Sequence, residues 1–191
     1  KRCALSEKAS TLESGLCEYC RSDSDSQSDK ESSDQNFADG LKGLESEFDE
    51  VIKLACGSGR NQYDAVLMLS GGKDSAWLLH HLKETYPKLR LLCLIIDSGF
   101  LNPVARSNAE ELVAKLKVDY MLFRPEPEVF QKPLSLAFEN AKQQGCSGAV
   151  DVVDGDLLHD IGRHIAAQQA NPIVLSGVSW AQVEDIFGVE H

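Results

Sequence analysis

Positive charge is the first thing this chain is short of. Its 19 lysines and arginines stand against 30 aspartates and glutamates, a formal net charge of −11. Phosphate backbones are held by lysine and arginine, so this balance argues against a general nucleic-acid face and leaves room only for a local basic groove. Long apolar runs are missing too. None approaches the roughly 20 residues that a membrane-spanning helix requires, and Lys1-Arg2-Cys3 opens the chain without the apolar core of a secretory leader. The expectation is a cytoplasmic protein with no membrane contact. An initiating methionine is also absent, so a piece of a longer polypeptide is expected. The 191 residues present can hold one sizeable domain with a proper core, plus appendages.

Apolar residues are wholly lacking from 22 to 35, a stretch made almost entirely of Ser, Asp, Gln, Lys and Glu. Such a segment cannot bury enough surface to offset its ordering entropy, so 22–36 is expected to be a disordered acidic linker. The alternative is a phosphorylated or partner-binding loop. Before it, 1–21 is a cysteine-rich segment in which Cys17-Glu18-Tyr19-Cys20 has the spacing of a zinc knuckle and Cys3 lies upstream. Tetrahedral zinc needs four ligands and only these three are visible. The fourth would be a histidine, Cys56, or a cysteine preceding Lys1. The competing reading is a set of incidental thiols, and a redox pair is disfavoured because no strand precedes the motif. After the linker, 37–60 reads as a connecting helix, with Leu41, Leu44, Phe48, Val51, Ile52 and Ala55 at helical spacing and Gly57-Ser58-Gly59 as its stop.

The richest stretch is Leu69-Ser70-Gly71-Gly72-Lys73-Asp74-Ser75, between an apolar run at 65–69 and a helical pattern at 76–82. That order reads as a buried strand, a glycine turn and a helix. Two glycines allow positive φ and close approach of a ligand, while the first amides of a helix point out of its positive end, so the turn is an anion site suited to phosphate. A Walker A loop is excluded, because the first glycine it requires falls on Leu67. The plainer reading is a glycine turn with Asp74 or Ser75 as helix cap.

The remainder alternates in the same way. Residues 89–96 form a strand, apolar apart from Arg90, ending in Asp97-Ser98-Gly99, Asn102-Pro103 opens a helix with Val104, Ala109, Leu112, Val113 and Leu116 inward, and 118–123 is a third strand. Residues 128–143 give another amphipathic helix through Val129, Phe130, Leu134, Leu136, Phe138 and Ala141. A further helix is expected to begin near Leu157, and 172–175 is a fourth strand running into Ser176-Gly177-Val178-Ser179. In the helix after the phosphate turn, Trp77, Leu78, Leu79 and Leu82 are expected to face the sheet. Unbroken apolarity marks strands covered on both sides, and the strand–helix alternation marks a doubly wound α/β domain over 61–191 with a parallel sheet. Ligands of such folds gather at the carboxyl ends of the strands, which makes Asp97, Ser98, Ser176 and Gly177 binding candidates. Asp97 has an equal alternative as a simple turn cap. The acidic run Asp151, Asp154, Asp156 and Asp160 is either an Mg²⁺ ligand set or a solvated loop with helix-start charges. His159 and His164 are too far apart on a helix to share a metal.

The Ser70-Gly71-Gly72-Lys73-Asp74-Ser75 stretch resembles the Ser-Gly-Gly-x-Asp-Ser signature of the PP-loop ATP pyrophosphatases, also placed between a first strand and a first helix. Within that superfamily, Gly15-Leu16-Cys17-Glu18-Tyr19-Cys20, the run Asn102-Pro103-Val104-Ala105-Arg106 with Asn108, and Pro127-Glu128-Val129-Phe130 are similar to the N-acetyl sugar amidotransferases of surface-polysaccharide biosynthesis. The resemblance implies a Rossmann-like fold with an N-terminal cysteine knuckle, and cleavage of ATP between its α and β phosphates. An acceptor oxygen on a small-molecule sugar would be adenylated, and ammonia from a glutaminase partner would displace AMP. It gives Ser70, Gly71, Gly72, Lys73, Asp74 and Ser75 to the phosphates, with Lys73 and Asp74 catalytic and Asp74 capping the helix or holding Mg²⁺ through water. It places Asp97 and Ser98 beside the adenosine, Ser176, Gly177 and Ser179 across the cleft, Glu184 at metal or substrate, and Zn²⁺ on Cys3, Cys17 and Cys20. The chain departs from the pattern at Cys146, single where the sugar amidotransferases and the tRNA-thiolating relatives carry a Cys-x-x-Cys, which counts against thiolation by a paired-thiol route, at Val178, where the sugar amidotransferases often have an acid, and in ending at His191 before the strand and helices the family normally adds. Two other readings are a sulfur or nitrogen transferase acting on tRNA, which the acidic balance disfavours, and a nucleotide-binding or zinc-knuckle module without turnover.

Overall fold

The computed structural model describes residues 30–144, 148–170 and 173–178. The elements run α1 (Lys30–Ala55), β1 (Ala65–Met68), α2 (Lys73–Thr85), β2 (Leu91–Ile96), α3 (Pro103–Leu116), β3 (Asp119–Phe123), α4 (Pro127–Gln144), α5 (Gly148–Gln168) and β4 (Ile173–Ser176). The chain divides into two compact units, Lys1–Glu50 and Val51–His191, with the division inside α1. Among described residues the first unit contributes the helix alone, which is already helical at Lys30, within the run expected to be structureless. Lys30, Glu31 and Gln35 of that run are good helix formers, and the helix extends through them and the weaker Ser32, Ser33, Asp34 and Asn36 despite the missing apolar face. Residues 22–29 lie outside the described residues, as does the knuckle.

The second unit is built on four parallel strands in the order β3-β2-β1-β4. Ala65 pairs with Leu91 on one side and with Ile173 on the other, while Leu92 pairs with Asp119. The sheet therefore grows outward from β1 through β2 to β3, then the chain returns to lay β4 on the opposite flank of β1. Helices cover both faces, as the continuous apolar strands require. Alternate side chains Val66, Leu92 and Leu94 pack with Ile165 and Ala166 of α5. Their neighbours Ala65, Leu67, Cys93 and Ile95 are buried as well, as are Leu79 and Leu82 of α2 and Ala109 and Val113 of α3. The fold is the α/β, Rossmann-like arrangement expected.

Several inward faces differ from expectation. Trp77 is 65% exposed and stacks on His81 with ring centroids 5.0 Å apart, so α2 meets the sheet through Leu79 and Leu82 instead. Val104, Val129, Leu136 and Phe138 are exposed, and Val51 of α1 is exposed while Ile52 and Ala55 are buried. Helix α5 starts at Gly148, well before Leu157, which puts the acidic run on a helix rather than in a loop. Cys93 is the inert core thiol expected, and burial pushes it up to about 12. No described helix is long and apolar enough to cross a membrane.

At the amino ends of β1 and β2 a polar clamp closes the sheet. Asp64 is fully buried and receives the Arg90 guanidinium through Nε at 3.1 Å and Nη2 at 2.5 Å, the Arg90 amide at 3.1 Å and the Gly59 amide at 3.1 Å. Burial would raise the Asp64 carboxyl, but the Arg90 bonds and the backbone amides outweigh it and hold it well below the usual carboxylate range. Sequence reading passed over this pair, since neither residue belongs to a motif.

Candidate functional site

The Ser70–Ser75 turn, Asp97, Ser98, Ser176 and Gly177 all fall at the carboxyl ends of the strands. Leu69 continues the ladder beyond β1, donating its N–H to the Leu94 carbonyl at 2.8 Å. The backbone then turns at Gly71, whose φ is +78°; a Cβ there would stand 1.9 Å from the Ala105 carbonyl oxygen. Both facts demand glycine. Helix α2 begins at once, so Lys73, Asp74 and Ser75 occupy its first turn rather than a loop ahead of it. Its N-cap is Gly72, with no side-chain capping bond, and neither Asp74 nor Ser75 takes the capping role. The first amides of a helix have no partners within it, and an uncapped end leaves them for a ligand.

The hydroxyls of the motif are organised around that end. Ser70 Oγ and Ser75 Oγ are 3.0 Å apart, Ser70 Oγ accepts from the Gly72 amide at 3.3 Å, and Ser75 Oγ donates to the Gly72 carbonyl at 3.3 Å. Ser75 is buried, so its hydroxyl forms the floor of the turn. Lys73 is 91% exposed and its Nζ lies 3.0 Å from Asp74 Oδ1. An ion pair this exposed is weak, and its ammonium is free to swing toward an anion.

The far wall comes from β4. Ser176 is its last residue, paired with Met68, and Gly177 follows. A Cβ on Gly177 would be 2.9 Å from the Ser75 amide nitrogen, so the strand end packs directly on the first turn of α2. The turn and Gly177 thus flank the point where strand order reverses, the crevice in which open α/β sheets hold ligands.

Asp97, at the end of β2, is buried and has both oxygens engaged. Oδ1 accepts the Gly99 amide at 3.0 Å, while Oδ2 takes Arg124 Nε at 3.0 Å and Nη2, with Arg106 Nη1 at 3.8 Å. The Arg124 bonds hold its carboxyl below the usual range, more than offsetting burial. It is a turn cap and also a guanidinium anchor, which the sequence reading did not foresee. Ser98 Oγ accepts from the Phe100 amide at 3.4 Å. Arg106 is held in turn by Glu110 at 2.9 Å, one helical turn on. The spacing of Arg106 and Glu110 was a readable signal for that pair; nothing local points to Arg124.

A second missed group is His159 on α5. It is 8% exposed, with Nδ1 2.7 Å from the Gly155 carbonyl and Nε2 3.2 Å from Ser176 Oγ. Asp160 pairs with Arg163, and among the described residues no three His, Cys, Asp or Glu gather as a metal-ligand cluster. Cys3, Cys17, Cys20, Cys146, Ser179 and Glu184 lie outside the described residues.

No protein-family model matches the chain. An uncharacterized protein of Methanocaldococcus jannaschii is 33% identical over 79 residues, which are 41% of this chain and 28% of that protein. Among solved structures, an NH3-dependent NAD synthetase from Campylobacter jejuni aligns at 18% identity with a TM-score of 0.45, over 78% of this chain and 60% of its own. The U34-tRNA thiolase NcsA from Methanococcus maripaludis, with its iron–sulfur cluster, aligns at 15% identity with a TM-score of 0.48, over 78% of this chain and 52% of its own. The chain therefore spans between about a quarter and three fifths of the length of these similar proteins.

Proposed function

We propose that this chain is an ATP-using enzyme of the PP-loop type that cleaves ATP between the α and β phosphates to adenylate an acceptor oxygen, after which ammonia displaces AMP. The observation that carries the reading is the Ser70–Ser75 stretch itself: a six-residue signature that forms a tight turn at the strand-order reversal and leads into a helix no side chain caps. The acceptor we favour is an N-acetyl sugar, on the similarity of the residues around Cys17, Asn102 and Pro127 to the sugar amidotransferases.

In this reading the amides of Gly71, Gly72 and Lys73 and the hydroxyls of Ser70 and Ser75 receive the β and γ phosphates. Lys73 swings from Asp74 to the departing pyrophosphate. The work is positioning and stabilisation of charge, because little covalent chemistry is asked of the protein in transfer at phosphorus. Asp74 would hold Mg²⁺ through water, its carboxylate being a suitable oxygen donor, and the ion would supply charge neutralisation at the pyrophosphate. Zn²⁺ on Cys3, Cys17 and Cys20 belongs to the same reading, as does a glutaminase partner that supplies the ammonia.

The test is product identity. The full chain is incubated with Mg·ATP, ammonium chloride and a panel of nucleotide-linked N-acetyl sugars, and the products are identified by mass spectrometry. AMP and pyrophosphate are expected, whereas ADP and orthophosphate would overturn the reading. ATP bound with no bond cleaved would leave a binding module in its place. Lys73→Ala should lower the rate of AMP release about a hundredfold, and a variant as fast as the parent would remove Lys73 from the mechanism.

A further inference from the structure

The carboxyl ends of the first three strands stand in one row. Beyond β1 is the phosphate turn, Asp97 prolongs β2 with its amide donating to the Phe123 carbonyl at 2.9 Å, and Arg124 follows directly on β3. Neighbouring strands run about 4.8 Å apart, so Asp97 belongs one strand over from the turn and Arg124 two. Helix α3 covers the same corner. The Ala105 carbonyl stands where a Gly71 side chain would be, and the next residue, Arg106, brings Nη1 to 3.8 Å from Asp97 Oδ2.

Two guanidinium groups therefore meet over one carboxylate, and it needs only one of them. Arg124 bonds Oδ2 through Nε and Nη2, and the Gly99 amide bonds Oδ1. Arg106 adds a second cation at a separation too long for a hydrogen bond. Glu110 answers its charge through Nε alone, at 2.9 Å. Both Nη groups of Arg106, and Nη1 of Arg124, thus donate to no described residue. The carboxylate is also the inner member: Asp97 is buried, while the side chains of Arg106 and Arg124 are 39% and 64% exposed. Towards solvent the cluster shows unspent N–H donors on fixed guanidinium planes, the chemistry that takes a phosphate oxyanion. On the opposite flank the turn is backed by Gly177, and Ile173–Val178 bring no cation to it. A chain of phosphates seated at the turn is drawn towards β2.

We propose that Arg106 and Arg124, seated on the buried carboxylate of Asp97, form a second anion site beside the phosphate turn, which takes the α phosphate of a nucleotide whose β and γ phosphates lie at that turn. The inference rests on the ATP-using reading above and adds to it two residues outside the six-residue signature. Arg124 satisfies Asp97, which leaves the Nη groups of Arg106 for the α phosphate.

Two measurements test it. Calorimetry of the full chain compares Mg·ATP with magnesium pyrophosphate, which lacks the α phosphate. Arg106→Ala should weaken ATP binding about tenfold to a hundredfold, the range for a lost hydrogen bond to a charged group, and leave pyrophosphate binding as in the parent. Asp97 keeps Arg124 in that variant, so no buried charge is stranded. Unchanged ATP binding would overturn the proposal and leave the nucleotide reading standing; equal losses for both ligands would overturn it too, by returning Arg106 to the turn's own phosphates or to the fold. In ¹H–¹⁵N spectra of the arginine-labelled parent, inorganic phosphate should move the Nε–H resonances of Arg106 and Arg124 and leave those of Arg90 and Arg163 in place. Silence at Arg106 and Arg124 overturns the proposal without reference to any nucleotide. ADP and orthophosphate as products would overturn the adenylating reading alone, since the calorimetry still decides the α-phosphate contact. A parent that binds no ATP would overturn both.

Discussion

Gly71 leaves the first strand at a φ few other residues tolerate, with the Ala105 carbonyl where a side chain would be. Gly71→Ala must both strain the backbone and push α3 outward, so we expect a loss of about 1–3 kcal/mol, the range for a residue held in a disfavoured conformation. Chemical denaturation measures it, and calorimetry with Mg·ATP should show weakened binding. Asp64 makes a different demand. Its side chain is fully buried and its partner Arg90 keeps 43% of its own side chain in contact with solvent. Asp64→Asn removes the charge that four N–H groups converge on, and a cost of about 3 kcal/mol is expected for a broken pair of this kind. The pH dependence follows from the carboxylates. Asp64 and Asp97 are both held below their ordinary values in the folded chain. Their contribution is therefore complete above the unfolded carboxylate value, about 3.9, and is lost as pH falls through the lower folded values. Thermal melts of the parent should weaken steeply below about pH 4, and Asp64→Asn should flatten that limb.

At the scale of the element, helix α4 separates what periodicity reveals from what it hides. Phe130, Leu134 and Ala137 form its buried stripe, whereas Leu136 at 60% and Phe138 at 61% are exposed. Phe130→Ala should cost about 3–5 kcal/mol, the range for emptying a core aromatic site, and Phe138→Ser should fall within about 0.5 kcal/mol of the parent; denaturant midpoints decide both. Strands, their order of appearance and the glycine turn were legible because each rests on local chemistry: short apolar runs such as Leu91–Ile96, Asn102 accepting from the Val104 amide at 2.9 Å ahead of Pro103, and Gly71 at a turn. Which face of a helix is buried was less legible, since α2 carries apolar residues on more than one side and only packing selects among them. Trp77 shows the difference, with His81 giving it a surface partner that frees it from the core. The start of α5 was missed for a related reason, an acidic run having been taken for a loop.

Across the whole molecule, the groups that matter most to the candidate site come from distant parts of the sequence. Asp97 with Arg124 and Arg106, and His159 with Ser176, are invisible to any motif because only the winding of the sheet brings them together. The net charge of −11 acts at this scale too. If the protein does not act on tRNA, filter binding at physiological salt should retain none. A tight complex that weakens steeply as salt rises would move the reading to transfer on tRNA.

The return of β4 to the flank of β1 has a consequence in time. The turn of the candidate site is made early, but Gly177, which backs it, follows β4, the last strand of the described residues. On the ribosome that turn would stay open-sided until β4 is made and threads in beside β1, the oldest strand. A nascent chain halted before Ile173 would carry the complete Ser70–Ser75 turn without the wall that backs it.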